Sequence, residues 1–157
     1  MQVPIKIAVE NGDEKLIPTY SYKDDAGCDV CCNDDLVIIE PKTRGTIHTG
    51  VYVEIPEGWQ IEVRSRSGLA KKKGISVLNS PGTIDSKYRG EICVILQNDS
   101  TDVFEARKYD KIAQLVLMPK FEMVFTQVSR EQLSVTDRGE NGFGSTGIKK
   151  WKDFLRN

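Results

Sequence analysis

Apolar residues recur along this chain in short runs, mostly with a period of two. Ile5 to Val9 is a short strand candidate, followed by a turn at Asn11-Gly12-Asp13. Val51, Val53 and Ile55 alternate with Tyr52 and Glu54, and after Pro56-Glu57-Gly58 the same pattern resumes in Trp59, Ile61 and Val63. Successive strand side chains point to opposite faces, so this block predicts a hairpin with one buried face. Leu36 to Ile39 is apolar and is broken by Pro41; Ile112 to Met118 is apolar and is closed by Pro119. Phe121, Met123 and Phe125 alternate once more, and Cys28 to Cys32 also reads as strand. Short strands joined by Gly and Pro turns predict an all-β sandwich or barrel. One internal helix is expected, from about Ser67 to Lys73, with Ser67 as its cap and Gly74 as its stop.

The stretch Val77 to Leu96 organises the candidate chemistry. Its second half, Ile92 to Leu96, is long enough for a buried strand and too short for a helix. Its first half is interrupted by Ser80-Pro81-Gly82, a turn signal. Between them lie Asp85 and Tyr88, flanked by Gly82 and Gly90. A hairpin-like element here would offer a carboxylate beside an aromatic floor for a planar ligand. An ordinary polar turn explains the same residues, because Asp and Gly suit turns for backbone reasons.

Composition narrows the field. The 157 residues are 39% hydrophobic and 29% charged, which suits one domain with a packed core. The net charge of −1 argues against broad nucleic-acid binding through phosphate neutralisation. No apolar run approaches a membrane span, and the N-terminus lacks the basic and apolar regions of a secretory signal. A cytoplasmic location is expected, or a nuclear one in a eukaryote. The four cysteines then read as reduced thiols. Cys28, Cys31, Cys93 and the single histidine, His48, lack paired zinc-knuckle spacing and read as small packed residues rather than a structural zinc site.

Further polar islands interrupt the β pattern. Asp29 follows Ala26-Gly27-Cys28 and could face a metal or its waters, or simply enter a strand. Arg64-Ser65-Arg66-Ser67-Gly68 combines guanidinium groups, hydroxyls and a helix N-terminus into an anion site, or is a capped helix with exposed Arg residues. Gln114 is a polar residue inside an apolar strand and must be satisfied by the fold or by a ligand. Arg138 to Gly147 holds four glycines in ten residues and cannot form regular structure cheaply. It can wrap a phosphate or serve as a flexible linker.

In this order the islands resemble the homotrimeric deoxyuridine triphosphatase (dUTPase) family. The resemblance rests on Ala-Gly-x-Asp at Ala26 to Asp29, Arg-Ser-Gly-Leu-Ala at Arg66 to Ala70, and Asn-x-x-Gly-x-Ile-Asp-x-x-Tyr-x-Gly at Asn79 to Gly90. It continues in Ile-Ala-Gln-Leu at Ile112 to Leu115 and in the glycine-rich run from Arg138 to Gly147. It implies an all-β, jelly-roll-like β-barrel with one short internal helix. Residues 1–137 would form the catalytic barrel, 138–147 a flexible closing motif and 148–157 a basic C-terminal extension.

The implied activity is hydrolysis of dUTP to dUMP and pyrophosphate with Mg²⁺, which keeps uracil out of DNA and supplies dUMP for dTMP synthesis. By resemblance Asp85 activates the water that attacks the α-phosphorus. Tyr88 packs on the deoxyribose, and Asn79 pairs with uracil alongside the hairpin positions Gly82 and Ile84. Arg66, Ser67, Gly68 and Gln114 hold the phosphates. Arg138, Gly144, Ser145 and Thr146 arrive from the tail, Phe143 covers the uracil, and Asp29 acts near Mg²⁺ through water. Sites between the subunits of a homotrimer are implied as well.

Two departures stand out from the family pattern. Ser65 replaces a frequent proline, and the chain runs on past Gly147. There Ile148, Trp151 and Leu155 fall at helical spacing among basic residues, which fits a small amphipathic helix docking on the barrel or on a protein partner, or a frayed basic tail. The alternatives are a related dCTP deaminase, whose pattern lacks the glycine-rich tail, and a non-catalytic nucleotide-binding or regulatory protein on the same fold.

Overall fold

A computed structural model describes residues 2–142. Expectations for Phe143, Gly144, Ser145, Thr146 and the 148–157 extension lie outside the described residues. The chain divides into two compact units, Met1–Phe121 and Glu122–Asn157. The boundary expected at 137/138 falls inside the second.

The first unit is built from β1 (Lys6–Val9), β2 (Gly27–Cys31), β3 (Leu36–Ile39), β4 (Arg44–His48), β5 (Val51–Glu54), β6 (Trp59–Arg64), α1 (Ser67–Lys73), β7 (Ile75–Val77), β8 (Gly82–Ile84), β9 (Cys93–Asn98), β10 (Phe104–Arg107) and β11 (Lys111–Pro119). These strands make a four-stranded sheet in the order β2-β11-β6-β8, a three-stranded sheet β4-β9-β7, and the pairs β1-β5 and β10-β3. Every sheet contributes to one apolar core: Val30, Ile39, Ile47, Val53, Val63, Val94, Leu96, Ala106 and Ile112 are all buried in it. The fold is thus β-rich with one α-helix among the described residues, as expected. No described helix is long and apolar enough to cross a membrane.

α1 forms where expected and stops where expected. Gly74 adopts a left-handed conformation (φ 65°), and its N–H reaches the carbonyls of Ala70 and Leu69. The cap differs: Arg66 occupies the N-cap position and its side chain makes no capping bond, so Ser67 is the first helical residue.

Two strand expectations need correction. β5 and β6 alternate as predicted but do not pair with each other: β5 pairs with β1, and β6 with β11 and β8. The turn at Pro56-Glu57-Gly58, with Gly58 at φ 83°, redirects the chain from one sheet to another over the shared core. Alternation reports a buried face, not the identity of the neighbour. Second, Phe121, Met123 and Phe125 form no strand and are exposed. Their alternation finds no pairing partner among the described residues.

Val77 to Leu96 is hairpin-like only at its base, where Val77 opposes Leu96 across β7 and β9. Between them β8 leaves to pair with β6. The turn after β9 is held by buried Asn98. Its amide donates to the carbonyls of Ile39 (2.9 Å) and Asp102 (2.8 Å), and its oxygen accepts from the Ser100 N–H (3.0 Å) and hydroxyl (2.7 Å). Replacing Asn98 with Ala strands these groups, two of them carbonyls facing a fully buried site. A loss of about 2–4 kcal/mol is expected. Urea unfolding checks this: the midpoint should fall while the m-value stays constant.

Candidate functional site

The first cluster grows from strand register. Gln114 on β11 opposes Asp29 on β2 on one side and Arg64 on β6 on the other. Just beyond β6 the chain enters α1 and brings Arg66, Ser67 and Gly68 to the same end of the sheet. Asp29, Arg64, Arg66, Ser67, Gly68 and Gln114 line a cleft of about 320 Å³.

Within it Asp29 is the electrostatic hub. Arg66 Nε donates to one carboxylate oxygen at 2.9 Å, and Lys111 Nζ lies 2.9 Å from the other. The Ser21 hydroxyl also donates to Asp29, at 3.2 Å. Burial raises the pKa of the Asp29 carboxyl, but the Lys111 ammonium and the Arg66 guanidinium outweigh it and hold the group below the usual carboxylate range. Arg66 is further fixed by a bond from Nη1 to the Lys111 carbonyl at 2.9 Å. Lys111 is therefore a site residue that the sequence reading passed over, although it stands three positions before Gln114.

Gln114 is satisfied by the fold itself, its amide donating to the Ser65 carbonyl at 3.0 Å. A Cβ at Gly27 would come within 2.9 Å of the Gln114 side-chain oxygen, so the glycine gives that amide its place. Ser65 has its own use: its hydroxyl accepts from the N–H of buried Val77 at 2.8 Å.

The second cluster lies on β8 and the loop after it. Gly82 opposes Val63 and Ile84 opposes Ile61, with the Asn79 amide close to the Gly82 backbone. The Tyr88 N–H closes a turn onto the Asp85 carbonyl at 3.0 Å, and the Tyr88 hydroxyl donates to the Glu91 carbonyl at 2.9 Å. A Cβ at Gly90 would collide with the Tyr88 hydroxyl, so glycine there lets the ring lie over the backbone. Both Asp85 and Tyr88 are exposed.

The two clusters do not meet within one chain. β8 runs antiparallel to β6, so Asp85 continues past Ile84 towards the Gln60 end, while Asp29 sits level with Arg64. Four residues along a strand is about 13 Å, and the three strand spacings from β2 to β8 add about 14 Å across. The Asp85 and Asp29 backbones are thus about 20 Å apart, far beyond hydrogen-bond reach. Arg138 belongs to the second unit, where its Nε donates to the Asn141 carbonyl at 3.1 Å. The tetrad Cys28, Cys31, Cys93 and His48 does not assemble: the Cys28 thiol contacts the Leu115 carbonyl, while Cys93 opposes His48 across β4 and β9.

A family model described as dUTPase matches residues 13–147. The chain is 52% identical over 134 residues to a deoxyuridine 5'-triphosphate nucleotidohydrolase of Nautilia profundicola, covering 85% of this chain and 92% of that protein. It is 45% identical over 149 residues to the protein of that name from Zymomonas mobilis, covering 94% and 100%. Its fold is similar to a solved mutant dUTPase of Staphylococcus bacteriophage 80alpha with dUpNHpp. That match has a TM-score of 0.80 and 28% identity, over 92% of this chain and 99% of that one.

The electrostatics of the first cluster set a pH dependence. Because the folded-state pKa of Asp29 is depressed, its stabilisation is present above the unfolded value of about 4 and is lost as pH falls through the folded value. Asp29→Asn should therefore cost about 2 kcal/mol at neutral pH. Its stability curve should converge on that of the parent protein in acid, as thermal unfolding between neutral and acid pH would reveal.

Proposed function

This chain belongs to the dUTPase family, and on that footing we propose that each active site is completed by two copies of it. One copy supplies Arg66, Ser67 and Gln114; the next supplies Asn79, Asp85 and Tyr88. The chain is an enzyme that hydrolyses dUTP to dUMP and pyrophosphate. The observation that carries the split site is the separation of about 20 Å between the backbones of Asp85 and Asp29, to which Arg66 is bonded, since an in-line attack needs base and phosphate together. A closed homotrimer satisfies this, because a head-to-tail interface repeated around a ring pairs every cleft with a neighbour's Asp85. Phe121, exposed on the lone chain, adds apolar surface for such an assembly.

In this reading the Asp85 carboxylate orients a water and takes its proton as oxygen attacks the α-phosphorus. The bond to the bridging oxygen breaks and pyrophosphate leaves. Arg66, aimed by Asp29 and by the Lys111 carbonyl, meets the phosphate charge beside Ser67 and Gln114. Tyr88 forms the sugar floor and Asn79 reads the uracil edge beside Gly82 and Ile84; a mismatched base leaves these polar groups unpaired.

The metal in this scheme is Mg²⁺, which when bound would offset the negative charge of the triphosphate. The residues present fit it only at second hand. Both Asp29 oxygens already bond Arg66 and Lys111, so Asp29 would meet it through water, as suits an ion that keeps its hydration.

Mixing two inactive variants tests the arrangement. Asp85→Asn and Arg66→Ala should each lower pyrophosphate release from dUTP by about 10²–10⁴-fold without unfolding. Refolded together in equal amounts they should recover up to about a quarter of parental activity, since that share of random interfaces joins an intact cleft to an intact Asp85. No recovery from a demonstrably mixed assembly would overturn the shared site.

A further inference from the structure

A separate group of donors gathers where β4 ends and β9 begins. His48 and Cys93 are paired across the two strands, and Glu91 lies just before β9. His48 Nδ1 is 2.8 Å from Glu91 Oε2 and 3.6 Å from Cys93 Sγ, and the three ligand atoms all lie within 4.8 Å of one another. We propose that His48, Glu91 and Cys93 form a binding site for a borderline-soft divalent cation of the zinc class, apart from the dUTP cleft.

The geometry is close to what such an ion requires. With zinc–sulfur near 2.3 Å and zinc–nitrogen near 2.0 Å, tetrahedral ligands stand roughly 3.6 Å apart, which is the spacing found between Cys93 and His48. The His48–Glu91 distance is that of a shared proton, and the carboxylate must retreat by only about 0.5 Å for a cation to take the proton's place. The ligands are also held in advance. Glu91 Oε1 accepts the Gly50 N–H at 2.7 Å, leaving Oε2 for the cation, and the backbone N–H of His48 donates to Asp34 Oδ2 at 2.9 Å, which fixes the strand end that carries the ring. Such supporting bonds orient ligands before the ion arrives.

Charge and access agree. The Glu91 carboxylate and a Cys93 thiolate together offset a dication, and uptake displaces the Cys93 thiol proton to solvent and the proton from His48 Nδ1. The His48 side chain is 57% exposed, which leaves an entry path and a fourth position for water. A hard oxygen-seeking ion would gain little from a thiolate and an imidazole. The donor set therefore selects against Mg²⁺.

Cobalt substitution tests this on the full chain stripped with a chelator. One Co²⁺ per chain should bind with a sulfur-to-cobalt charge-transfer band and the intense visible bands of a tetrahedral site, and Zn²⁺ should displace it. Cys93→Ser should abolish the charge-transfer band, and His48→Gln should weaken Co²⁺ binding at least about tenfold. Cys31→Ser should change neither, with circular dichroism confirming that each variant is folded. Absence of the band in the parent protein, or its survival in folded Cys93→Ser, would overturn the proposal. Because the readout is cobalt absorption, it stands whether or not the shared dUTP site is correct.

Discussion

The arrangement of the molecule depends on the register of β11. This strand lies between β2 and β6, and a single alignment puts Asp29, Gln114 and Arg64 in one row. A slip of one residue would turn every side chain of β11 to the other face, because strand side chains alternate. The register shift between Lys111 and Ala113 allows one local exception. It lets Ile112 and Ala113 both be buried while Lys111 reaches Asp29 and Gln114 faces the cleft. Core packing and the lining of the cleft around Asp29 and Arg66 are thus set by the same strand.

That row also explains the role of Asp29. A carboxylate in a cleft proposed to take a triphosphate would repel that ligand if it stood alone. Here its charge is taken up by Arg66 and Lys111, and its effect is to aim a guanidinium. Removing it would free one cation and disorder another.

Legibility from sequence followed burial rather than pairing. The helix at Ser67–Lys73 and the strand around Ile112–Met118 were readable because apolar period and stop signals agree. β4 and β10 were not singled out, since Arg44-Gly45-Thr46-Ile47-His48 and Phe104-Glu105-Ala106-Arg107 each bury a single residue. The supposed hairpin of β5 and β6 had the right faces and the wrong partners, because alternation carries no information about neighbours. The site residues were recognisable as motifs, whereas their division into two distant clusters rests on the β6–β8 register. His48 and Cys93 were grouped only with Cys28 and Cys31, and Glu91 was not singled out: β4 and β9 are remote in sequence, and sheet pairing is what joins these three.

The distance between Asp85 and the Arg66 cleft has a further consequence, in mass action. Under the shared-site proposal a lone chain carries two incomplete halves, so turnover per chain would rise with protein concentration until assembly saturates. Expression level then acts as a threshold as well as a scale. On the same proposal, activity would fall at high dilution, and substrate that bridges two copies would itself draw the assembly together.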